Sequence, residues 1–373
     1  MSYVTNSEVY YLLLQLVNAQ ANIPGGIPLI DPITRKISPE FISYLETTPV
    51  SSQFDIDEIT GAIYIHNLKP GFNAAFSATV DLTDSVFVKL KSKNGAFYSL
   101  DSADGTAGKR LKISIDGKFL LPLGTTGDLV FTDFDISENN TIIIVASNLA
   151  TTNIKRSTNG GSSFDTITGP GAYGYSAVKN LGAGLWIACA TTGEAVYSTD
   201  DGITWLDAVV DGANTFTSAG GNGGICWIVS SDGVDRIQFS TDFGQNYTSV
   251  NIPFNFLYGF SEYFKGNIVL AKSGVSANNF LAFTDDQGTT WSQRTFAGIT
   301  EELKGIKTIG ENLYLFGVNG LLARTVDLNE FEFLSFASSD VILDLAHEII
   351  NGENTLMAVT SGGVTNNVFS TKD

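Results

Sequence analysis

Six carboxylates and five aromatic side chains have the types and positions that suit chemistry on a ligand. Glu194, Asp211, Asp232, Asp235, Glu301 and Glu302 fall in connections between expected strands. Glycoside hydrolysis needs two such groups about 5 to 10 Å apart, one as acid and the other as base or nucleophile. In a chain this acidic, loop carboxylates are ordinarily solvated, so no catalytic residue is assigned. Tyr173, Phe254, Phe256, Tyr258 and Phe296 share these connections. Aromatics exposed beside Asp and Asn form platforms for sugars or protein surfaces. Asn251-Ile252-Pro253-Phe254-Asn255-Phe256-Leu257-Tyr258 is the most aromatic loop entry; buried, the same side chains would be core. The expected binding set is Phe254, Phe256, Tyr258, Tyr173, Asp232 and Asp235. Cys189 and Cys226 fall on expected strands and read as buried free thiols. His66 and His347 lie far apart and near no Cys, so neither a metal site nor a cofactor is expected.

Positioning these residues falls to a repeat. Ser198-Thr199-Asp200-Asp201-Gly202-Ile203-Thr204-Trp205 is matched by Thr284-Asp285-Asp286-Gln287-Gly288-Thr289-Thr290-Trp291. It is matched again by Ser240-Thr241-Asp242-Phe243-Gly244-Gln245-Asn246-Tyr247 and by Ser157-Thr158-Asn159-Gly160-Gly161-Ser162-Ser163-Phe164. Weaker copies start at Ser114, Thr325 and Ser370, and start-to-start gaps run from 41 to 45 residues. Ser or Thr ends a strand, Asp or Asn closes an Asx-type turn, and Gly supplies a positive φ. The aromatic opens the next strand and covers the turn. Short β-rich runs precede each copy, such as Leu185-Trp186-Ile187-Ala188-Cys189 and Ile225-Cys226-Trp227-Ile228-Val229. Trp186 and Trp227 are 41 apart and are expected at the same place in neighbouring units. A repeat of this period, with four short strands each, reads as one propeller blade per unit. The fold expected is all-β, a seven-bladed propeller of four-stranded blades over 72–373, the alternative being six blades plus an irregular first segment. The seventh copy ends at Asp373, so Phe72 to Val80 is expected to supply the last blade's fourth strand and close the ring, at about 43 residues per blade.

The pattern S/T-x-D-x-G-x-T/S-W/F resembles the Asp-box, or bacterial neuraminidase repeat. In that family the boxes lie opposite the catalytic face, and its sialidases use an Arg-Ile-Pro segment, three clamping arginines and a Tyr paired with Glu. This chain has no Arg-Ile-Pro. Arg35 lies before the repeats, Arg110, Arg156, Arg236 and Arg324 near third strands, and Arg294 on a fourth strand. The resemblance therefore implies the scaffold and not the sialidase activity.

The first seventy residues differ. Thr5-Asn6-Ser7-Glu8 fits a capping box, and 9–22 has no Gly or Pro and is apolar on more than one face. A helix over 1–22 is expected, and such a helix needs a partner. The segment 23–71 reads as a linker and neck, and 54–68 within it as a small hairpin or part of the neck. Within it Gly26, Leu29, Asp31, Lys36, Ile37, Ser38 and Ile42 resemble a linker of tailed-phage fibre proteins. In that family such segments sit in trimeric fibres and attach a distal domain to the virion.

With 39 acidic against 21 basic residues, the net charge of −18 argues against nucleic-acid binding and adsorption to anionic membranes. No signal peptide opens the chain and no run of 18 apolar residues appears. The expectation is a virion component made in host cytoplasm, a tail fibre or a head or collar fibre. It would form a homotrimer through 1–70, join other virion proteins, and bind a bacterial surface polysaccharide or outer-surface protein. The alternatives are a carbohydrate-active hydrolase and a non-viral Asp-box interaction module.

Overall fold

The computed structural model describes residues 54–56, 63–65 and most of 87–372. Two compact units make up the chain, Met1–Ala74 and Ala75–Asp373. In the first, Phe54–Ile56 pairs antiparallel with Ile63–Ile65. The helix expected over 1–22, the other residues of the linker over 23–71 and the strand expected over 72–80 lie outside the described residues.

The second unit is a propeller of antiparallel meanders. Among the described residues, six sheets are four-stranded blades, at 87–122, 131–167, 175–207, 216–250, 258–295 and 303–333. They are called blades 1 to 6 below. A three-stranded sheet follows at 341–372. Among the described residues complete four-stranded blades thus number six, not the expected seven; the last sheet has three strands, and the segment expected to add its fourth, 72–80, lies outside them. Lys372 stands where the turn motif has Asp, and the last copy lies in the strand Val368–Lys372.

Each sheet follows one local logic. At the start of its inner strand sits a buried side chain: Phe87, Phe131, Tyr175, Phe216, Tyr258, Leu303 or Ile342. Just beyond, the pairing register slips at a β-bulge in every sheet. A bulge increases local twist, which the radial arrangement of sheets requires. The second strands are continuous apolar runs such as Ile142–Ala146, buried throughout because a sheet packs on each side. Ile143, Val145 and Ile154 of blade 2 share one core with Tyr175, Val178 and Trp186 of blade 3. The ring closes in the same way, with Phe87, Leu90 and Phe97 packed among Ala346, Met357 and Val359. The Leu90 amide donates to Asp344 Oδ2 at 2.8 Å and the Ser92 hydroxyl to His347 O at 2.5 Å.

The repeated turn joins third and fourth strands, and its polar atoms bond one another. In blade 3 the Gly202 amide donates to Ser198 Oγ at 2.9 Å, and Ser198 Oγ to Asp200 Oδ1 at 2.9 Å. Asp200 also takes the Thr204 amide at 2.8 Å and hydroxyl at 2.6 Å. Ser240-Asp242-Gly244, Thr284-Asp286-Gly288 and Ser157-Asn159-Gly161 repeat these bonds. Gly202 is required twice over. Its φ is +80°, and a Cβ there would lie 2.6 Å from Ile143 Cδ1 of the preceding blade. The aromatics seal the turns: Trp205 and Tyr247 are buried, Trp291 and Phe164 partly so.

Trp186 and Trp227 do not occupy equivalent places. Ser198 pairs with Trp186, but its counterpart Ser240 pairs with Cys226, so the two indoles are one residue out of step. That offset reverses the face. Trp186 Nε1 donates to Asp201 Oδ1 of the turn, and Trp227 Nε1 to Ser261 Oγ on the inner strand of blade 5. Cys189 and Cys226 are buried free thiols on second strands.

Candidate functional site

Antiparallel meanders send their turns to two ends. The repeated turns share one end with the turns between first and second strands, and there the Asp201 amide donates to Gly184 O at 2.9 Å. The turns between second and third strands, with Glu194, emerge at the other end, as do the blade-to-blade connections, with Tyr173.

At that second end the connection Gly169-Pro170-Gly171-Ala172-Tyr173-Gly174-Tyr175 crosses from blade 2 to blade 3. A Cβ on Gly171 would lie 2.3 Å from the Tyr173 ring, so only Gly lets the ring fold back. Tyr173 packs partly buried on the blade 2–3 core and stands edge-on to Tyr175, 6.2 Å between centroids at 88°. Asn153, wholly buried on blade 2, donates through Nδ2 to Tyr173 O and to Asn148 O. The Tyr173 hydroxyl donates to Asp207 Oδ1 at 2.9 Å.

Three buried polar atoms around this point have no hydrogen-bond partner: Tyr175 OH, Glu194 Oε2 and Asn153 Oδ1. Neither Glu194 nor Asp207 is in an ion pair with a cation among the described residues. Partial burial, the bond to Asp207 and the charges of Asp207 and Glu194 push the Tyr173 phenol up to about 12. Burial, then Tyr173, Asp207 and Glu194, push Tyr175 higher still. Both phenols are therefore neutral at physiological pH. The arrangement offers unmet acceptors, two carboxylates and an aromatic wall, which suits a ligand carrying hydroxyl or ammonium donors.

The structure thus brings together two residues singled out in the sequence, Tyr173 and Glu194. The other expected binders do not join them. Tyr258 is a correction: it is wholly buried, because it takes the inner-strand position of Phe131, Tyr175 and Phe216 and fills the blade 4–5 core. Phe254 packs on that same core. Phe256, Asp232, Asp235 and Phe296 lie outside the described residues. Asp211 braces blade 4, where Oδ2 takes the Ser249 amide at 2.8 Å. Glu302 pairs with Lys304 at 2.8 Å, and Glu301 is partly buried. Two members of the cluster were missed in the sequence. Asp207 sits on a two-residue strand just past a turn, and Tyr175 reads there as core alone. No local sequence signal marks them, since they meet Tyr173 only in the folded blade. Among the described residues no group of three or more His, Cys, Asp or Glu is placed to hold a metal.

No family model matches the chain, and no curated protein matches it. Solved structures do. The WD40 propeller domain of Doa1 is similar with TM-score 0.57 at 11% identity, over 78% of this chain and 96% of that one. A structure titled YCF48 bound to D1 peptide gives 0.56 at 13%, over 76% and 91%. A GH74 enzyme of Niastella koreensis gives 0.52 at 16%, over 77% of this chain and 43% of that one. At these identities the likeness is one of fold, a β-propeller.

Proposed function

We propose that this chain is a receptor-binding and structural component of a tailed-phage virion, its propeller displayed as a head that recognises a bacterial surface glycan or protein. The observation that carries the recognition role is the cluster at Tyr173. Two blades cooperate there to hold a phenol and two carboxylates while leaving buried acceptors unmet, and unmet acceptors are what a donor-rich ligand such as a polysaccharide satisfies. The virion role rests on the fibre-like segment at 23–42 and on the apolar stretch at 9–22, and the turn motif supports an Asp-box scaffold. Self-association through 1–70 would add avidity to a weak single site.

The test applies the full-length chain to polysaccharides from bacterial surfaces, with light scattering on the same sample. Retention by a trimer without release of reducing sugar supports the proposal, and Tyr173→Ala should abolish that retention. Release of reducing sugar would move Glu194 and Asp207 into the roles of a hydrolase. A monomer that ignores every bacterial surface would sink the viral reading.

A further inference from the structure

The inner strands surround a cavity of about 160 Å³ whose wall inverts the charge of the chain. Lys89, Lys91, Lys179, Lys304 and Lys307 line it against only three carboxylates, Asp133, Glu262 and Asp344. Elsewhere acidic residues dominate, 39 to 21 over the whole sequence.

Part of this charge is explained by the ring itself. Lys307 Nζ donates to Leu90 O at 2.6 Å and to Asp344 Oδ1 at 3.0 Å, tying blade 6 and the last sheet to blade 1. Lys91 and Lys179 approach the two oxygens of Asp135, at 3.6 and 4.0 Å, and Lys304 holds Glu302. Two groups are left over. Lys89 has no ion-pair partner among the described residues. Asp133 is 6% exposed; its Oδ2 takes the Val178 amide at 3.0 Å, but its Oδ1 has no donor. Lys89 and Asp133 line the same cavity, Lys89 feeling the charge of Asp344 and Asp133 that of Lys91. An ammonium outside any ion pair together with a carboxylate oxygen without a donor suits a ligand that accepts at one atom and donates at another. Burial holds Lys307 below its ordinary range against the pull of Asp344, and Lys91 and Lys89 lower it further, whereas at Lys91 burial is outweighed by Asp135, Asp133, Asp344 and Glu262, which raise it.

We infer that the cavity binds a phosphate group, with Lys89, Lys91 and Lys307 on its ionised oxygens and Asp133 accepting from its protonated one. Near neutral pH phosphate carries such a proton and sulfate does not, so the carboxylate that welcomes the first repels the second. The volume suits the size, since 160 Å³ equals roughly five waters at ~30 Å³ each. The site is independent of the Tyr173 cluster.

Isothermal titration of the full-length chain with sodium phosphate and sodium sulfate, at matched ionic strength and neutral pH, tests this. Phosphate should saturate one site per chain and bind at least about tenfold more tightly than sulfate, the worth of one charged hydrogen bond. Lys89→Gln, which breaks no ion pair of the ring, should weaken phosphate about tenfold with an unchanged melting temperature in phosphate-free buffer. Asp133→Asn should narrow the gap between the anions. Equal binding of both anions by the unaltered chain, or undiminished phosphate binding by Lys89→Gln, would overturn the inference; neither result depends on Asp133→Asn folding. Glycerol 1-phosphate separates the sources: binding like inorganic phosphate marks a phosphomonoester end of a larger molecule, and exclusion marks the free ion.

Discussion

The two ends of the propeller treat polar atoms in opposite ways. At the end with the repeated turns, Ser198, Asp200, Gly202 and Thr204 consume one another's donors and acceptors, as do their counterparts in neighbouring blades, with the buried Trp291 Nε1 left unmatched as an exception. At the other end, Tyr175, Glu194 and Asn153 hold polar atoms that are buried and unmatched. The first arrangement lowers the free energy of the fold. The second raises it and is tolerated where a partner completes it.

Substitutions that break or sharpen this contrast can be ranked. Gly202→Ala should be the most damaging, about 3 kcal/mol, because it adds strain at positive φ to a clash with Ile143. Calorimetry would show this as a large fall in melting temperature, and a change within error would remove the double requirement argued for Gly. Ser198→Ala should cost about 1–2 kcal/mol by stranding the buried Gly202 amide. Tyr175→Phe should go the other way, neutral or up to about 1 kcal/mol stabilising, since it deletes a buried hydroxyl that has no partner. A clear loss in chemical denaturation would mean that the hydroxyl is already satisfied. The smallest effect concerns pH. Bonds from the Asn246 side chain and amide, opposed by slight desolvation, hold Asp242 down at about 2. A depressed carboxylate stabilises the fold above its unfolded value near 4, and that contribution is lost as pH falls through about 2. Asp242→Asn should thus be less stable than the parent at pH 7, with the gap closing between pH 4 and 2. A gap constant across that window would show that the turn does not need the charge.

The architecture was legible because the turn chemistry is local. Ser, Asp and Gly at fixed offsets make the same bonds whatever surrounds them, so four strong copies located the blades. Where the motif decays the reading slipped, as at Lys372, where an expected turn is a strand. The 41-residue spacing of Trp186 and Trp227 misled because blade lengths vary by single residues, and one residue reverses a side chain in a strand. The candidate site was only half legible. Tyr173 and Glu194 stood out as loop residues, but Asp207 and Tyr175 join them through contacts across blade 3 and its entry that no local pattern records. Tyr258 shows the converse error, since an aromatic at a loop entry is also what an inner strand uses to fill the space between blades.

The bonds that seal the ring carry a kinetic consequence. Leu90 to Asp344, Ser92 to His347 and Lys307 to Leu90 join residues 254, 255 and 217 positions apart. Each waits until nearly the whole domain has left the ribosome, whereas hairpins within a blade form from neighbours. Contacts of such long sequence separation slow folding. A nascent propeller of this kind spends its early life as an open arc with two uncovered flanks, and its exposure to aggregation ends only when the last sheet meets the first blade.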